Sequence, residues 1–581
     1  MNHKQVISLW CEVIIEELIR QGAGFFCISP GSRSTPLTLA VARNPAARYR
    51  MFPDERSAGF YALGHARATG MPAVLICTSG TAVANYFPAV VEASADIRPM
   101  IILSADRPFE LLESGANQTI RQDNIFGTYS RWNLQLPSPG TDTPLVSLLS
   151  TIDHAVKCSI GSPAGPVHLN VPLREPLEPE KPDMEHPWAA PVRGWMDSSM
   201  PWSRFEIPEK EPSAEGIALL WTILAKSENP LLVAGNLDNI DDAEAVEALS
   251  RSLGIPLMAD LTSGIRLSKQ CLPWQLAFQS DAFVERFRPD TVIHFGGSMI
   301  GKQPGAAIRK WAPRNYVVVR EQPSRFSPDH NVTMSIEAAP GSVALALAGH
   351  RKTVKTLDCS AFFAAAGNII ETMACAPDLP VNEISAARIV SSLVDAGHGL
   401  FVSNSMPARD MDVYAASGGE SPVHTALNRG VSGIEGIIST AAGFSAGLQR
   451  PVTLIIGDIS FLHDMNALSL LNHSQNQLII IVLNNHGGGI FSFLPVASET
   501  ECFEECFATP QNFSIKSAAE TFGLPYANPA TNHEFSVCYK AAMQSGRTFV
   551  IEVSGSREEN FRLHESLKSS IAACAGKILW R

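Results

Sequence analysis

Short apolar runs alternate with helix-periodic stretches and glycine-bearing turns along nearly the whole chain. That rhythm is the strongest constraint on the fold, because strands joined through helices pair in parallel and take helices on their faces. In the first block, Val6–Arg20 has helical spacing and stops at Gly22-Ala23-Gly24. Phe25–Ile28 reads as a short buried strand, followed by the loop Ser29-Pro30-Gly31-Ser32-Arg33. Ala73–Cys77 and Met100–Leu103 are further strands by the same test. A single core does not organise 581 residues, so the rhythm must be divided among domains.

The divisions are marked by proline. From Pro172 to Pro212 prolines recur too densely for regular elements, which predicts a linker draped over the surface. Beyond it, Ala214–Lys226, Pro230–Ala234, Asp242–Leu253 and Thr291–Phe295 again alternate helix and strand. This block has Gly235-Asn236-Leu237 where a dinucleotide fingerprint requires G-x-G-x-x-G, which argues against a nucleotide redox cofactor there. A second boundary falls near Ala376-Pro377-Asp378-Leu379-Pro380. The expected domains are 1–180, a linker 181–212, 213–355 and 356–581. The last block repeats the first: Phe26-Cys27-Ile28-Ser29-Pro30, Asp54–Gly59 and Leu103–Asp106 correspond in order to Phe401–Ser405, Asn428–Gly433 and Leu483–His486. The pattern implies two copies of one α/β unit around a different middle domain.

A formal charge of −12 disfavours general binding to nucleic acid or anionic membranes. No apolar run is long enough for a membrane span, and the amphipathic start, broken by Glu12, Glu16 and Glu17, does not read as a secretory leader. The 11 cysteines are scattered without a C-x-x-C pair; Cys502 and Cys506, at helical spacing, read as packing rather than metal ligands. A cytoplasmic enzyme is expected.

The sharpest local chemistry is in the last block. Pro451–Ile456 is a strand ended by Gly457-Asp458, then Ile459–Leu471 reads as loop and helix. Gln477–Leu483 is the next strand, ended by Asn484-Asn485 and Gly487-Gly488-Gly489. Ligands of open α/β sheets bind at that edge, and a carboxylate with an amide oxygen suits Mg²⁺. The spacing alone fits equally a strand-end turn with a helix cap. Glu55 alone likewise fits a first-turn helix acid.

Gly457-Asp458 followed by Asn484-Asn485 resembles the motif of the thiamine-diphosphate-dependent pyruvate-oxidase-like enzymes, which have a pyrimidine-binding, a central and a diphosphate-binding domain. Where that family commonly has Gly-Asp-Gly, this chain has Ile459 after Asp458. Ser29–Pro36, Asp54–Gly59, Thr78–Ala82, Ser104–Pro108 and Asn428–Gly430 together resemble the succinyl-transferring branch that serves menaquinone biosynthesis, whose members share the apolar residue after Gly-Asp. The resemblance implies three doubly wound α/β domains with mostly parallel sheets, the first and third being copies of one unit. It implies thiamine diphosphate with Mg²⁺, for which Mn²⁺ can substitute, in a homodimer or homotetramer whose sites are shared between subunits.

By the same resemblance, Glu55 is the cofactor's activating carboxylate, and Asp458, Asn485 and the Gly487 carbonyl hold the metal. Gly457, Ser460, Phe461 and Gly488 lie by the diphosphate; Ile434 braces the cofactor, and Ile490, Phe491 and Leu494 form an apolar wall. The reaction implied is decarboxylation of 2-oxoglutarate and 1,4-addition of the succinyl unit to isochorismate. Two dicarboxylates call for concentrated cations, and Arg33, Arg107, Lys302, Arg409 and Arg429 stand in matching motifs. Ser32, Gln118 and Ser405 supply neutral hydrogen bonds. Glu55, Ser32, Arg33, Gln118, Arg409 and Arg429 are the candidate catalytic set. The alternative, another 2-oxoacid decarboxylase or an acetohydroxyacid synthase, acts on smaller acids that do not need this array.

Overall fold

The computed structural model describes residues 1–578 apart from 270, 324, 351–358, 419–422, 474–475 and 499–500. The boundary expected at 355/356 lies outside the described residues. Among the described residues, three sheets of six, five and six strands account for the strands. The first contains β1 (Phe25–Ile28), β2 (Arg48–Met51), β3 (Val74–Cys77), β4 (Met100–Asp106), β5 (Trp132–Gln135) and β6 (Pro166–Pro172), in the order β2-β1-β3-β4-β6-β5. The second contains β7 (Pro230–Ala234), β8 (Leu257–Ala259), β9 (Thr291–Phe295), β10 (Asn315–Val319) and β11 (Met334–Ile336), ordered β11-β10-β9-β7-β8. The third contains β12 (Gly399–Val402), β13 (Thr425–Ala426), β14 (Val452–Gly457), β15 (Leu478–Asn484), β16 (Tyr526–Ala527) and β17 (Phe549–Ser554). Its order, β13-β12-β14-β15-β17-β16, repeats that of the first sheet strand for strand, so the two are copies of one unit.

Every pair of neighbouring strands is parallel. All seven residues of β4 and of β15 are buried, as expected of strands covered on both faces. No helix among the described residues is long and apolar enough to cross a membrane.

The chain divides into two compact units. The first comprises Met1–Ile207, Asn428–Gln449 and Asp464–Gln475; the second comprises Pro208–Leu427, Arg450–His463 and Asn476–Arg581. The proline-rich stretch is more than a surface linker. Leu173, Leu177, Trp188, Val192 and Trp195 are buried in the core of the first unit, and a short helix, Arg193–Met196, forms inside the stretch. Proline restricts backbone conformation but does not keep neighbouring tryptophans in water, and burying two indoles outweighs the loss of regular structure. Cys502 and Cys506 are exposed, so they do not pack as expected.

Within the first unit, helix Glu55–Thr69 lies against helix Ile437–Leu448 at very close range. A Cβ placed on Gly443 would stand 2.0 Å from the Tyr61 carbonyl oxygen. Gly→Ala in an open helix gains up to ~1 kcal/mol of propensity, whereas overpacking costs about 1–3 kcal/mol. Gly443→Ala should therefore lower the melting temperature by several degrees. Gly576→Ala, in helix Arg557–Ile578 with open space around it, should leave it unchanged or raised. Calorimetry of the two variants checks the contrast.

Candidate active site

The carboxyl-terminal edge of the first sheet gathers five of the expected residues. Glu55 opens the helix that follows β2, behind the N-cap Asp54, whose side chain accepts from the Arg56 N–H at 2.8 Å. Glu55 is half-buried rather than enclosed. Its charge acts on the Cys77 thiol at the end of β3 and on the Tyr86 hydroxyl, both pushed up chiefly by burial. Arg33, in the loop after β1, is 5% exposed and donates to the Leu173 carbonyl and to Glu175, each at 2.8 Å. Its Nε is buried without a partner. Arg107 follows β4 and donates to the Ser79 hydroxyl. Burial and the like charge of Arg33 lower the pKa of Arg107. Gln118 is exposed, has φ +57°, and donates to the Ser79 carbonyl at 2.9 Å; Ser32 is exposed beside Arg33.

A buried polar network backs this edge. Asp106 accepts from the Arg107 N–H and from Asn170, both at 2.7 Å. Asn170 in turn accepts from Ser104 and Gln122, both at 2.8 Å, and Gln122 accepts the Gly80 N–H at 2.9 Å. Burial pushes the Asp106 carboxyl up, opposed by these donors. The network holds the loops after β3 and β4 in one arrangement, which apolar contacts alone do not do for exposed turns.

Arg429 lies elsewhere in the same unit. The Gly430 and Val431 N–H groups each donate to the buried Glu92 carboxylate at 2.7 Å. Glu92 sits in the last turn of helix Phe87–Ala95, which runs back from β3 to the start of β4. Arg429 is therefore held toward the opposite edge of the first sheet from Arg33 and Arg107. Ile434, half-buried, follows in the same segment.

The second unit carries the candidate metal ligands. Asp458 follows Gly457 at the end of β14; its two oxygens accept the Ile459 N–H at 2.9 Å and the Gly487 N–H at 2.8 Å. Burial pushes its carboxyl up against these donors. Asn485, just past β15, donates through Nδ2 to Glu383 at 2.8 Å, and its Oδ1 is buried with no hydrogen-bond partner. Gly487 has φ +141°, and its carbonyl accepts from Gly489 N–H at 2.9 Å, leaving one lone pair. A carboxylate, an orphaned amide oxygen and a carbonyl are hard donors that fit Mg²⁺ or Mn²⁺. Among the described residues no cluster of three or more His, Cys, Asp or Glu side chains offers an alternative metal site. Ser460 and Phe461 are buried on the turn after Asp458, with Phe461 stacked 6.4 Å from Phe513. Gly488 donates to the Ala508 carbonyl at 2.7 Å. Ile490 and Phe491 are half-buried, while Leu494 is 41% exposed, so it stands at the rim rather than within an apolar wall.

Arg409 and the segment that carries Lys302 meet at a cavity in the second unit. Lys302 is exposed at the start of helix Lys302–Trp311, and its neighbours Gly301 and Gln303 line a small cavity with Arg409 and Asp412. Arg409 donates to the Ser405 carbonyl at 2.6 Å, and Ser405 has φ +73° at the N-cap of helix Met406–Tyr414. Sequence reasoning missed Glu92, Asp106, Glu175 and Glu383. An acid inside the apolar helix Phe87–Ala95 signals Glu92, but Glu383, behind Asn382, looks like any first-turn acid.

Comparison with known proteins gives a consistent picture. Residues 10–125 match the thiamine pyrophosphate enzyme N-terminal TPP binding domain, 186–402 the middle domain, and 411–553 the C-terminal TPP binding domain. A 2-succinyl-5-enolpyruvyl-6-hydroxy-3-cyclohexene-1-carboxylate synthase of Chlorobaculum tepidum is 68% identical over 98% of both chains. Proteins of the same name are 66% identical in Chlorobaculum parvum, over 98% of both chains, and 60% identical in Chlorobium limicola, over 100% of both. A crystal structure from Mycobacterium smegmatis, described as a candidate thiamin diphosphate-dependent enzyme, superposes with a TM-score of 0.70 at 18% identity, covering 94% of this chain and 99% of that one.

The Gly487 turn provides a direct test of the metal assignment. A Cβ there would stand 2.3 Å from the Ala508 carbonyl oxygen, at a φ that side chains rarely adopt. Gly487→Ala should weaken Mn²⁺ binding, followed by electron paramagnetic resonance, by about 10-fold or more while circular dichroism stays unchanged.

Proposed function

The chain belongs to the thiamine-diphosphate enzymes and, within them, to the 2-succinyl-5-enolpyruvyl-6-hydroxy-3-cyclohexene-1-carboxylate synthases, and on that premise we propose how its residues divide the work. The protein is a transferase of menaquinone biosynthesis that decarboxylates 2-oxoglutarate and adds the succinyl unit to isochorismate. Bound thiamine diphosphate supplies the nucleophilic carbon and the electron sink for loss of CO₂.

Glu55 makes the hydrogen bond to the aminopyrimidine ring that activates the cofactor. Asp458, Asn485 Oδ1 and the Gly487 carbonyl hold Mg²⁺, or Mn²⁺ in its place. Gly457, Ser460, Phe461 and Gly488 form the turns around the diphosphate. Ile434 and Ile490 support the cofactor, and Phe491 gives the substrate an apolar side, with Leu494 at its rim. Arg33, Arg107, Lys302, Arg409 and Arg429 take the substrate carboxylates, with Ser32, Gln118 and Ser405 as neutral partners. Arg33 reaches a substrate only by exchanging Glu175, whose side chain is 71% exposed and so is readily released to water.

The observation that carries this reading is the gathering of Glu55, Arg33, Arg107 and Gln118 at one sheet edge, with Asp458 and the orphaned Asn485 oxygen at the corresponding edge of its copy. Arg429, held toward the other edge of the first sheet, does not join Arg33 and Arg107 within its own unit. A homodimer or homotetramer, in which a second copy contributes to each site, reconciles the two.

The test incubates purified protein with thiamine diphosphate, Mg²⁺, 2-oxoglutarate and isochorismate, following CO₂ release and isochorismate loss, with each component omitted in turn. The two signals should be stoichiometric and require both cofactors. Glu55→Gln should lower kcat by about 100-fold or more with the oligomer intact. CO₂ release without isochorismate loss would favour the 2-oxoacid decarboxylase alternative and overturn the binding of an acceptor carboxylate by these arginines.

A further inference from the structure

Behind the candidate cation site lies a carboxylate to which the reaction assigns no role. Glu383 is the first residue of helix Glu383–Leu393, whose N-cap Asn382 forms a reciprocal capping box with Ser385. The Glu383 side chain is buried, and Oε1 accepts from Asn485 Nδ2 at 2.8 Å. Oε2 makes no hydrogen bond. Asp410, itself buried 3.2 Å from His564, also faces this carboxyl group electrostatically.

A primary amide is nearly the same shape either way round, so packing alone does not choose which end of Asn485 faces the cation. Glu383 does choose. With Nδ2 turned to the carboxylate, Oδ1 is left buried and unpartnered, available to a cation. The flipped amide would set Oδ1 against a carboxylate oxygen in a dry site and point N–H groups at the cation, a double loss where each unmet buried group costs about 1–3 kcal/mol. The outer partner of a metal ligand commonly fixes its orientation in this way.

We propose that Glu383 is a positioning residue that holds the Asn485 amide with its oxygen turned toward the cation before the cation binds. The proposal rests on Asn485 being a cation ligand. It requires an acceptor oxygen at the reach of a Glu side chain, and the carboxylate charge is secondary.

Two substitutions separate reach from charge. Glu383→Gln keeps an acceptor oxygen at the same reach and loses the charge; Glu383→Asp keeps the charge and draws the oxygen back by one methylene. Mn²⁺ binding to the full-length protein with saturating thiamine diphosphate is measured by electron paramagnetic resonance, alongside circular dichroism and thermal melting. The Gln variant should bind Mn²⁺ within about threefold of the parent, and the Asp variant about 10- to 100-fold more weakly. A Gln variant as weak as the Asp variant, or an Asp variant unchanged, would overturn the proposal. Asn485→Ala runs beside them. If it leaves Mn²⁺ affinity unchanged, the assignment of Asn485 as a ligand fails. If it weakens binding while Glu383→Asp does not, only the positioning role fails.

Discussion

Parallel pairing governs where this protein can do chemistry. In a sheet covered by helices on both faces, strand interiors are mostly apolar and their backbone groups are satisfied by the ladder, as in β15. The side chains proposed to meet ligands then gather mostly where strands end. Arg33 follows β1, Glu55 opens the helix after β2, Arg107 follows β4, Asp458 follows β14 and Asn485 follows β15. The architecture concentrates function by excluding it from everywhere else.

Strand-end loops lack the apolar contacts that shape the strands, and here buried polar groups do that work. Glu92 gathers two backbone N–H groups of the Arg429 loop. Asp106, Asn170 and Gln122 tie the loops after β3 and β4 into one network. Asp458 takes the Gly487 N–H across to the glycine turn. Each carboxylate carries a desolvation penalty, evident in the upward pKa shifts of Glu92, Asp106 and Asp458, and each is offset by directed donors. Such arrangements contribute less to net stability than to a single loop geometry.

Duplication explains why the two ends of the molecule look alike and act differently. The first and third sheets share one strand order, so each presents a strand-end edge of the same form. One copy equips its edge with an acid and cations, the other with oxygen ligands around a glycine turn. The close helix contact at Gly443 is set by backbone approach and leaves the chemistry of either edge free to differ.

The sequence by itself determined the fold class, the duplication and the strand-end positions of Asp458 and Asn485, because those depend on local periodicity. β1, β7, β9 and the helix Ala214–Lys226 were readable at their observed bounds, since apolar runs and breakers lie within a few residues of one another. Asp458 and Asn485 were readable because a strand-end position is itself local. Tertiary structure alone decided the burial of Trp188 and Trp195 within a proline-rich stretch, the engagement of Arg33 by Glu175, and the orphaned oxygen of Asn485. Glu383 meets Asn485 across 102 positions of sequence, and Glu92 meets Gly430 across 338. A hydrogen bond's partner is chosen by where the chain has been folded, and no periodicity encodes a contact made at that separation.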